Sequence, residues 1–429
     1  MFRKKAGLKR GYSVLAIMLI MALLFGCSSQ AAPEAKQASN PITFWYDKTG
    51  VAGEAIEQTI NGFKQAHPEL EVNSVYVADL TVGGGQKLLS AIAGGTGPDV
   101  VFFDRFQIAS WAQQDALTDL TSLMEQDGVD SSRFYPAAWN EVVVDGKIFG
   151  MPVTTDGRVL FYNKDHFMEA GLNPDNPPRT IKELEQAAAQ LDDKSADDNR
   201  AAFVPWAGQG NFYTWGWTFG GEFYNLDSGE VTANDPNIVA AMQWIQDYAN
   251  AHDVTKFSAI TSNAQLDPFA AGQISMEVGN NLLVSTIKNN NPDLNYGVTP
   301  IPAPEGHEST TWSGGYSVVI PRGAKNVEGG FELVKYFAED TAQEFMAGAY
   351  LSVVPEVNEK VFADDPVSQQ ILGLLDIAHW RPVISQGQLL WNELQSGMET
   401  AYNNKAKPQD ILNDITAKVN EALKQDRQN

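Results

Sequence analysis

Asp104, Asp156 and Glu222 are the carboxylates that could act on a bond, as a glycosidase pair would. Two carboxyl groups that cleave a glycosidic bond must lie about 5 to 10 Å apart, with one of them held protonated. No complete catalytic motif accompanies the three. The simpler chemistry is that of ionised carboxylates accepting hydrogen bonds from ligand hydroxyls. His67, His166, His252, His307 and His379 are scattered without metal-ligand spacing, so neither a metal nor a cofactor is expected. Gly83-Gly84-Gly85-Gln86-Lys87 fails the spacing of a phosphate loop and is followed by leucine, and it reads as a turn. Asp192-Asp193 and Asp197-Asp198 lack the glycine and glutamate of a calcium loop and read as solvated loop residues.

Rings are the denser signal. Phe203, Trp206, Phe212, Tyr213, Trp215, Trp217, Phe219, Phe223 and Tyr224 are interleaved with Gly208, Gly210, Gly216, Gly220 and Gly221. A pyranose offers apolar C–H faces and a belt of hydroxyls, which suits flat indole surfaces with a few carboxylate, amide and guanidinium partners. For any one of these rings a place in the core is an equal alternative. An extended backbone would put Trp215 and Trp217 on one face, both able to line a cleft. Trp139 and Trp244 fall within regular apolar patterns and read as core.

The elements that must position these groups follow from periodicity. Ile42 to Tyr46, Leu70 to Val77 and Asp99 to Phe103 read as strands. Between them, Ile56, Ile60 and Phe63 fall at helical spacing, and Lys87 to Ala93 reads as a second helix. Such alternation predicts a parallel sheet with ligands beyond the carboxyl ends of its strands, where Trp45, Asp47, Asp104 and Arg105 lie. A second α/β block has a strand at Val159 to Tyr162 and helices at Ile181 to Leu191 and Asn237 to Ala251. A third has strands at Tyr296 to Val298 and Tyr316 to Ile320, then helices at Val327 to Ala338 and Gln409 to Lys424.

The chain has 429 residues, 43% of them apolar, which is too long for one ordinary core and implies two globular lobes. With 53 acidic against 30 basic residues its formal charge is −23, which excludes a nucleic-acid partner. Arg3, Lys4, Lys5, Lys9 and Arg10 precede an apolar run from Val14 to Phe25 that meets Gly26-Cys27-Ser28-Ser29. The run is too short for a membrane span, which needs about 20 residues, and the order is that of an export signal. Leu24 to Cys27 resembles a bacterial lipoprotein processing site, with Phe25 standing where a small residue is usual. That resemblance implies removal of residues 1–26, lipidation of Cys27, and a membrane association through that lipid alone. Cys27 is the single cysteine, so no intrachain disulfide exists. Residues 27–40 carry no large apolar group after Cys27 and read as a flexible tether with a reach of roughly 20 Å.

Several long segments, in order, are similar to the carbohydrate-binding solute receptors of ABC importers. They are GTGPDVVFFDRF (Gly95 to Phe106), the stretch from Phe134 to Asp165, PFAAGQISMEVGNN (Pro268 to Asn281), Tyr296 to Gly323, and the run from Arg381 through Trp391. The resemblance implies an α/β, two-lobed periplasmic-binding-protein-like fold of type II with the ligand in the cleft between the lobes. It divides the chain into lobe 1 (41–155 plus 297–346) and lobe 2 (156–296 plus 347–429), with crossings near Thr155-Asp156, Gly297 to Pro302 and Ala347 to Val354. It implies sugar contacts at Asp104, Arg105, Thr155 and Asp156, an aromatic platform around Phe212 to Trp215, and a late tryptophan, Trp391. Trp312, Gly314, Gly315, Tyr316 and Arg381 match pocket positions of the multiple-sugar and glycerol-phosphate branches. Trp45, Trp206, Trp217, Glu222, Asn280 and Asn281 complete the candidate set, with Asn281 standing where the maltose receptor has a further stacking tryptophan. The implied function is a non-enzymatic, monomeric receptor that delivers an oligosaccharide to permease subunits. The alternatives are a glycerol-3-phosphate receptor of the same family, through Arg381, and a secreted glycoside hydrolase.

Overall fold

In the computed structural model, residues 40–80, 85–194, 200–252, 257, 260 and 266–428 are described. The signal, the tether up to Ser39 with Cys27, Gly83-Gly84 and Asp197-Asp198 lie outside them.

The first lobe is built on a five-stranded sheet in the order Val72–Tyr76, Ile42–Tyr46, Val100–Asp104, Tyr316–Val319, Met151–Pro152. The first three strands are parallel, as alternating strands and helices require. Tyr316–Val319 is antiparallel to both its neighbours, because the chain returns to this sheet from the other lobe and enters from the opposite end, whereas Met151–Pro152, laid down before the chain leaves, runs in the direction of the first three. The second lobe's sheet runs Tyr296–Thr299, Val159–Asn163, Ile274–Gly279, Ala201–Phe203, with two antiparallel pairings and one parallel. The expectation of a parallel sheet thus holds for the three adjacent strands that pair in parallel, and Tyr316–Val319 interrupts it. Gly297 to Thr299 are hydrogen-bonded within the second sheet, so the boundary at 297 cuts a strand. The return to the first lobe lies between Thr299 and Tyr316.

Two short strands cross between the lobes side by side, Thr154–Thr155 pairing antiparallel with Leu351–Ser352. Gln343, fully buried, pins them: its amide donates to the carbonyls of Val153 (3.0 Å) and Phe337 (2.7 Å), and its oxygen accepts from the Ser352 hydroxyl (2.6 Å) and the Val353 N–H (3.1 Å). Every polar atom of that amide is satisfied, as burial demands.

Helix Phe212–Thr218 overturns the extended reading of the aromatic stretch. Gly216 sits inside it because a Cβ there would meet the Phe223 ring at 2.2 Å, so the glycine is kept for packing, not for a turn. The helix lies against Pro236–Ala251, which in turn packs on the C-terminal helices Gly387–Tyr402 and Pro408–Asp426. Among the described residues no helix is long and apolar enough to cross a membrane.

Candidate functional site

Strand Val100–Asp104 delivers Asp104 to the mouth of a cleft of about 380 Å³ between the lobes. Its side chain caps the turn that follows, accepting from the Phe106 N–H at 3.0 Å. Arg105, one residue on, points the other way and is 1% exposed. There it donates from Nε to Glu141 (3.1 Å) and from Nη2 to the carbonyl of Gly314 (2.7 Å), and it also bonds the carbonyl of Thr154. Glu141, itself buried, accepts from Arg381 through Nε (2.9 Å), Nη2 (3.2 Å) and the backbone N–H (3.2 Å). Arg381 then reaches Asp104 at 3.5 Å and faces the cleft.

A second cluster comes from the crossing strand. Asp156 and Arg158, two residues apart, form a buried ion pair. Asp156 also accepts from the Asn280 amide (3.1 Å) and the Gly314 N–H (2.5 Å). Arg158 donates to the Trp312 carbonyl (2.9 Å) and to Gln209 (3.4 Å), and its guanidinium lies 3.3 Å from the Trp312 ring centroid. Gly315, at φ +139°, is the point where this layer is tightest: a Cβ would stand 2.2 Å from the Thr154 carbonyl oxygen. Three guanidinium groups thus meet three carboxylates. Burial pushes the Arg105 and Arg158 guanidinium groups down, an effect that Glu141 and Asp156 oppose. For Arg381 burial acts in the same direction, but Glu141 and Asp104 outweigh it and its pKa is raised. Arginine stays cationic throughout, so the charges are balanced before any ligand arrives.

The rings divide into those that face the cleft and those behind it. Trp391, half-buried on helix Gly387–Tyr402, lies in the cleft wall between Phe106 (5.8 Å between centroids) and Tyr213 (5.7 Å). Trp312 lines the wall but is 2% exposed, with its N–H on the Thr214 hydroxyl at 2.9 Å and one face under Arg158, so it offers an edge and no platform. Tyr316 rests on Phe102 (5.0 Å) and meets Tyr350 edge-on (5.7 Å). Burial, with the nearby Asp104 and Asp47 carboxylates, raises the Tyr316 hydroxyl pKa.

Of the candidate residues, Asp104, Thr155, Asp156, Asn280, Trp312, Gly314, Gly315, Tyr316, Arg381 and Trp391 line this cleft together. The others are placed elsewhere. Phe212, Trp215 and Trp217 are core: Trp215 is 0% exposed, donates to the Pro205 carbonyl at 2.7 Å and packs on Trp244, and Trp217 stacks on Tyr213 at 4.9 Å. A helical backbone turns these rings inward, where a strand would have aligned them along one face. Arg105 supports the wall from behind. Trp45 packs beside the Leu80–Trp111 cluster, Trp206 stacks on Tyr402 at 4.0 Å, and Asn281 borders a separate cavity with Lys360. Glu222 is exposed on another groove, beside Trp217. Sequence reasoning missed Phe106, Thr154, Arg158, Gln209, Leu282, Tyr350 and Gln388, which also line the cleft. Arg158 was findable, since in an extended segment it shares a face with Asp156; Gln388 likewise shares a helix face with Trp391. Among the described residues no group of three or more histidine, cysteine or acidic side chains could hold a metal.

Two lobes with a charge-balanced cleft between them can enclose a ligand, and residues 47–344 match the model of the bacterial extracellular solute-binding protein family. The chain belongs to that family. Over 97% of its length it is 25% identical to the maltodextrin-binding protein MdxE of Bacillus subtilis, covering 98% of that protein. It is 26% identical to the sn-glycerol-3-phosphate-binding periplasmic protein UgpB of Rhizobium meliloti, over 73% of each chain. Among solved structures it is similar to CpMnBP1 with mannotriose bound, at TM-score 0.77 and 26% identity over 88% of this chain and 99% of the other.

Proposed function

We infer that this chain is the carbohydrate receptor of an ABC import system, and that it binds an oligosaccharide without converting it. The observation that carries the reading is the conjunction of Trp391 with Asp104–Arg381 and Asp156–Arg158 in one cleft. An apolar ring face, with ionised acceptors and donors fixed at its sides, complements a sugar ring and its hydroxyls. Sugar-binding relatives, for maltodextrin and mannotriose, support it. Closure of the lobes about Thr154–Thr155 and Leu351–Ser352 would bring Asp104 and Trp391 onto the ligand and present it to permease subunits. The receptor works as a monomer, held at the membrane by a lipid on Cys27 after loss of its signal. A phosphate ligand fits less well, because Arg105, Arg158 and Arg381 are already matched by Glu141, Asp156 and Asp104. Hydrolysis fits less well too: Glu222 lies off the cleft, and donors converge on Asp156 as they would on an acceptor.

A thermal-shift screen over mono- and oligosaccharides and glycerol 3-phosphate, followed by product analysis of the best ligand, tests this reading. Stabilisation by an oligosaccharide recovered intact is the expected result. Stabilisation by glycerol 3-phosphate alone, or turnover of the sugar, would replace the reading.

A further inference from the structure

On the far side of the ring layer from the cleft, a groove of about 640 Å³ runs along the second lobe. Its floor is Phe223, Trp217, Pro382 and Val383. Two large apolar side chains stand in water at its edges: Leu226, 85% exposed, and Trp380, 38% exposed. Scattered apolar residues need no account, but two flanking one concave apolar floor mark an interaction surface. Its rim carries Glu222, Asp227 and Asp235, and among the described residues no lysine or arginine lines it. Asp235 is committed to capping a helix, with the Asn237 N–H at 2.8 Å, whereas Asp227 faces solvent and Glu222, exposed, has the His379 ring nitrogen 3.7 Å away. His379 adds no charge at neutral pH, since burial lowers its pKa.

We propose that this groove docks a cationic protein segment that carries a projecting apolar side chain. Charge complementarity selects that occupant: the rim is of one sign, and a guanidinium or ammonium between Glu222 and Trp380 gains both an ion pair and the indole face. A second copy of this chain is disfavoured as occupant, because it would bring a surface of the same sign, the whole chain standing at −23. The groove stands on its own observations, whatever the cleft takes.

The test measures fluorescence anisotropy of a labelled heptapeptide alternating lysine and leucine with the full chain. The control peptide alternates glutamate and leucine. The cationic peptide binds, more weakly as salt is raised, and the acidic one does not. The double variant Glu222→Gln/Asp227→Asn and the single variant Trp380→Ala each weaken binding about tenfold, with unchanged melting temperatures showing that they fold. Equal binding of the cationic peptide to all variants would reduce the effect to bulk charge and overturn the proposal. So would a concentration-dependent dimer abolished by Leu226→Ser, or a second equivalent of maltotriose bound by the wild type and lost in Trp380→Ala.

Discussion

Two buried layers stand behind the cleft and hold it in different ways. On one side, Arg105, Glu141 and Arg381 are joined by directed bonds between full charges. On the other, Tyr213, Trp215, Trp217 and Trp312 are joined mainly by shape, their ring centroids 4.7 to 6.4 Å from a neighbouring ring. The charged layer is indivisible, because removing one member leaves the others buried and unneutralised. The ring layer is graded, because a smaller ring leaves a cavity whose cost follows its volume. Side chains of the first layer also touch the ligand side directly, through Arg381 and its partner Asp104; those of the second reach it only through Trp312 and Trp391.

Glu141→Gln should give the largest effect, about 3 to 5 kcal/mol of stability, since two buried guanidinium groups lose their shared partner. Denaturant unfolding of the empty protein measures it; a loss below about 1 kcal/mol would mean that the layer is divisible. Trp215→Ala should cost a comparable or slightly smaller amount, about 3 to 4 kcal/mol, and Trp215→Phe distinctly less, while sugar affinity of the folded fraction is unchanged. Equal losses for Phe and Ala would remove the contrast in kind between the layers. Trp391→Ala should leave unfolding nearly unaltered and weaken sugar binding by roughly 1 to 3 kcal/mol, read by calorimetry, whereas Asp156→Asn should weaken binding by a similar amount and also lower stability, since the buried Arg158 guanidinium loses its ionised partner. The smallest effect belongs to His379, which stacks on Trp217 at 5.1 Å and whose pKa burial lowers. Its native state binds a proton less readily than the unfolded chain does, so it stabilises fully above the ordinary histidine pKa near 6.5 and less as pH falls below it. His379→Phe should flatten that part of the stability profile below about pH 6.5, and a profile identical to wild type would disconnect the histidine from the ring layer.

How far sequence reaches into this molecule depends on the span of the interaction that sets each residue's place. Asp104 is legible because the end of a strand is a local property, and the strands at Ile42, Val72 and Val100 repeat the alternation that announces them. Asp156 stands out as a carboxylate, but its place in the cleft, like that of Trp391, enters by resemblance. Trp215 and Trp217 misled because glycine between tryptophans argues against a helix, and only the packing of Phe223 onto Gly216 reverses that preference. Glu141 left no trace at all: its partners are 36 and 240 positions away, and nothing near it in the chain records them. The tandem of charges behind the cleft is therefore a product of the tertiary fold, while the strand ends in front of it are a product of local pattern.

The strand Tyr316–Val319 sits between Val100–Asp104 and Met151–Pro152, and the Ser317 hydroxyl reaches the Phe103 carbonyl across 214 positions. A polypeptide emerging from its N-terminus consequently has an incomplete first sheet, with an open edge at Val100–Asp104, until three quarters of it has been made. Closing so long a loop is entropically slow, and slow closure sets a delay on the whole lobe. For a chain of an extracellular solute-binding family such a delay would be useful: a nascent chain without its first sheet would stay threadable through an export channel and would acquire its shape on the far side.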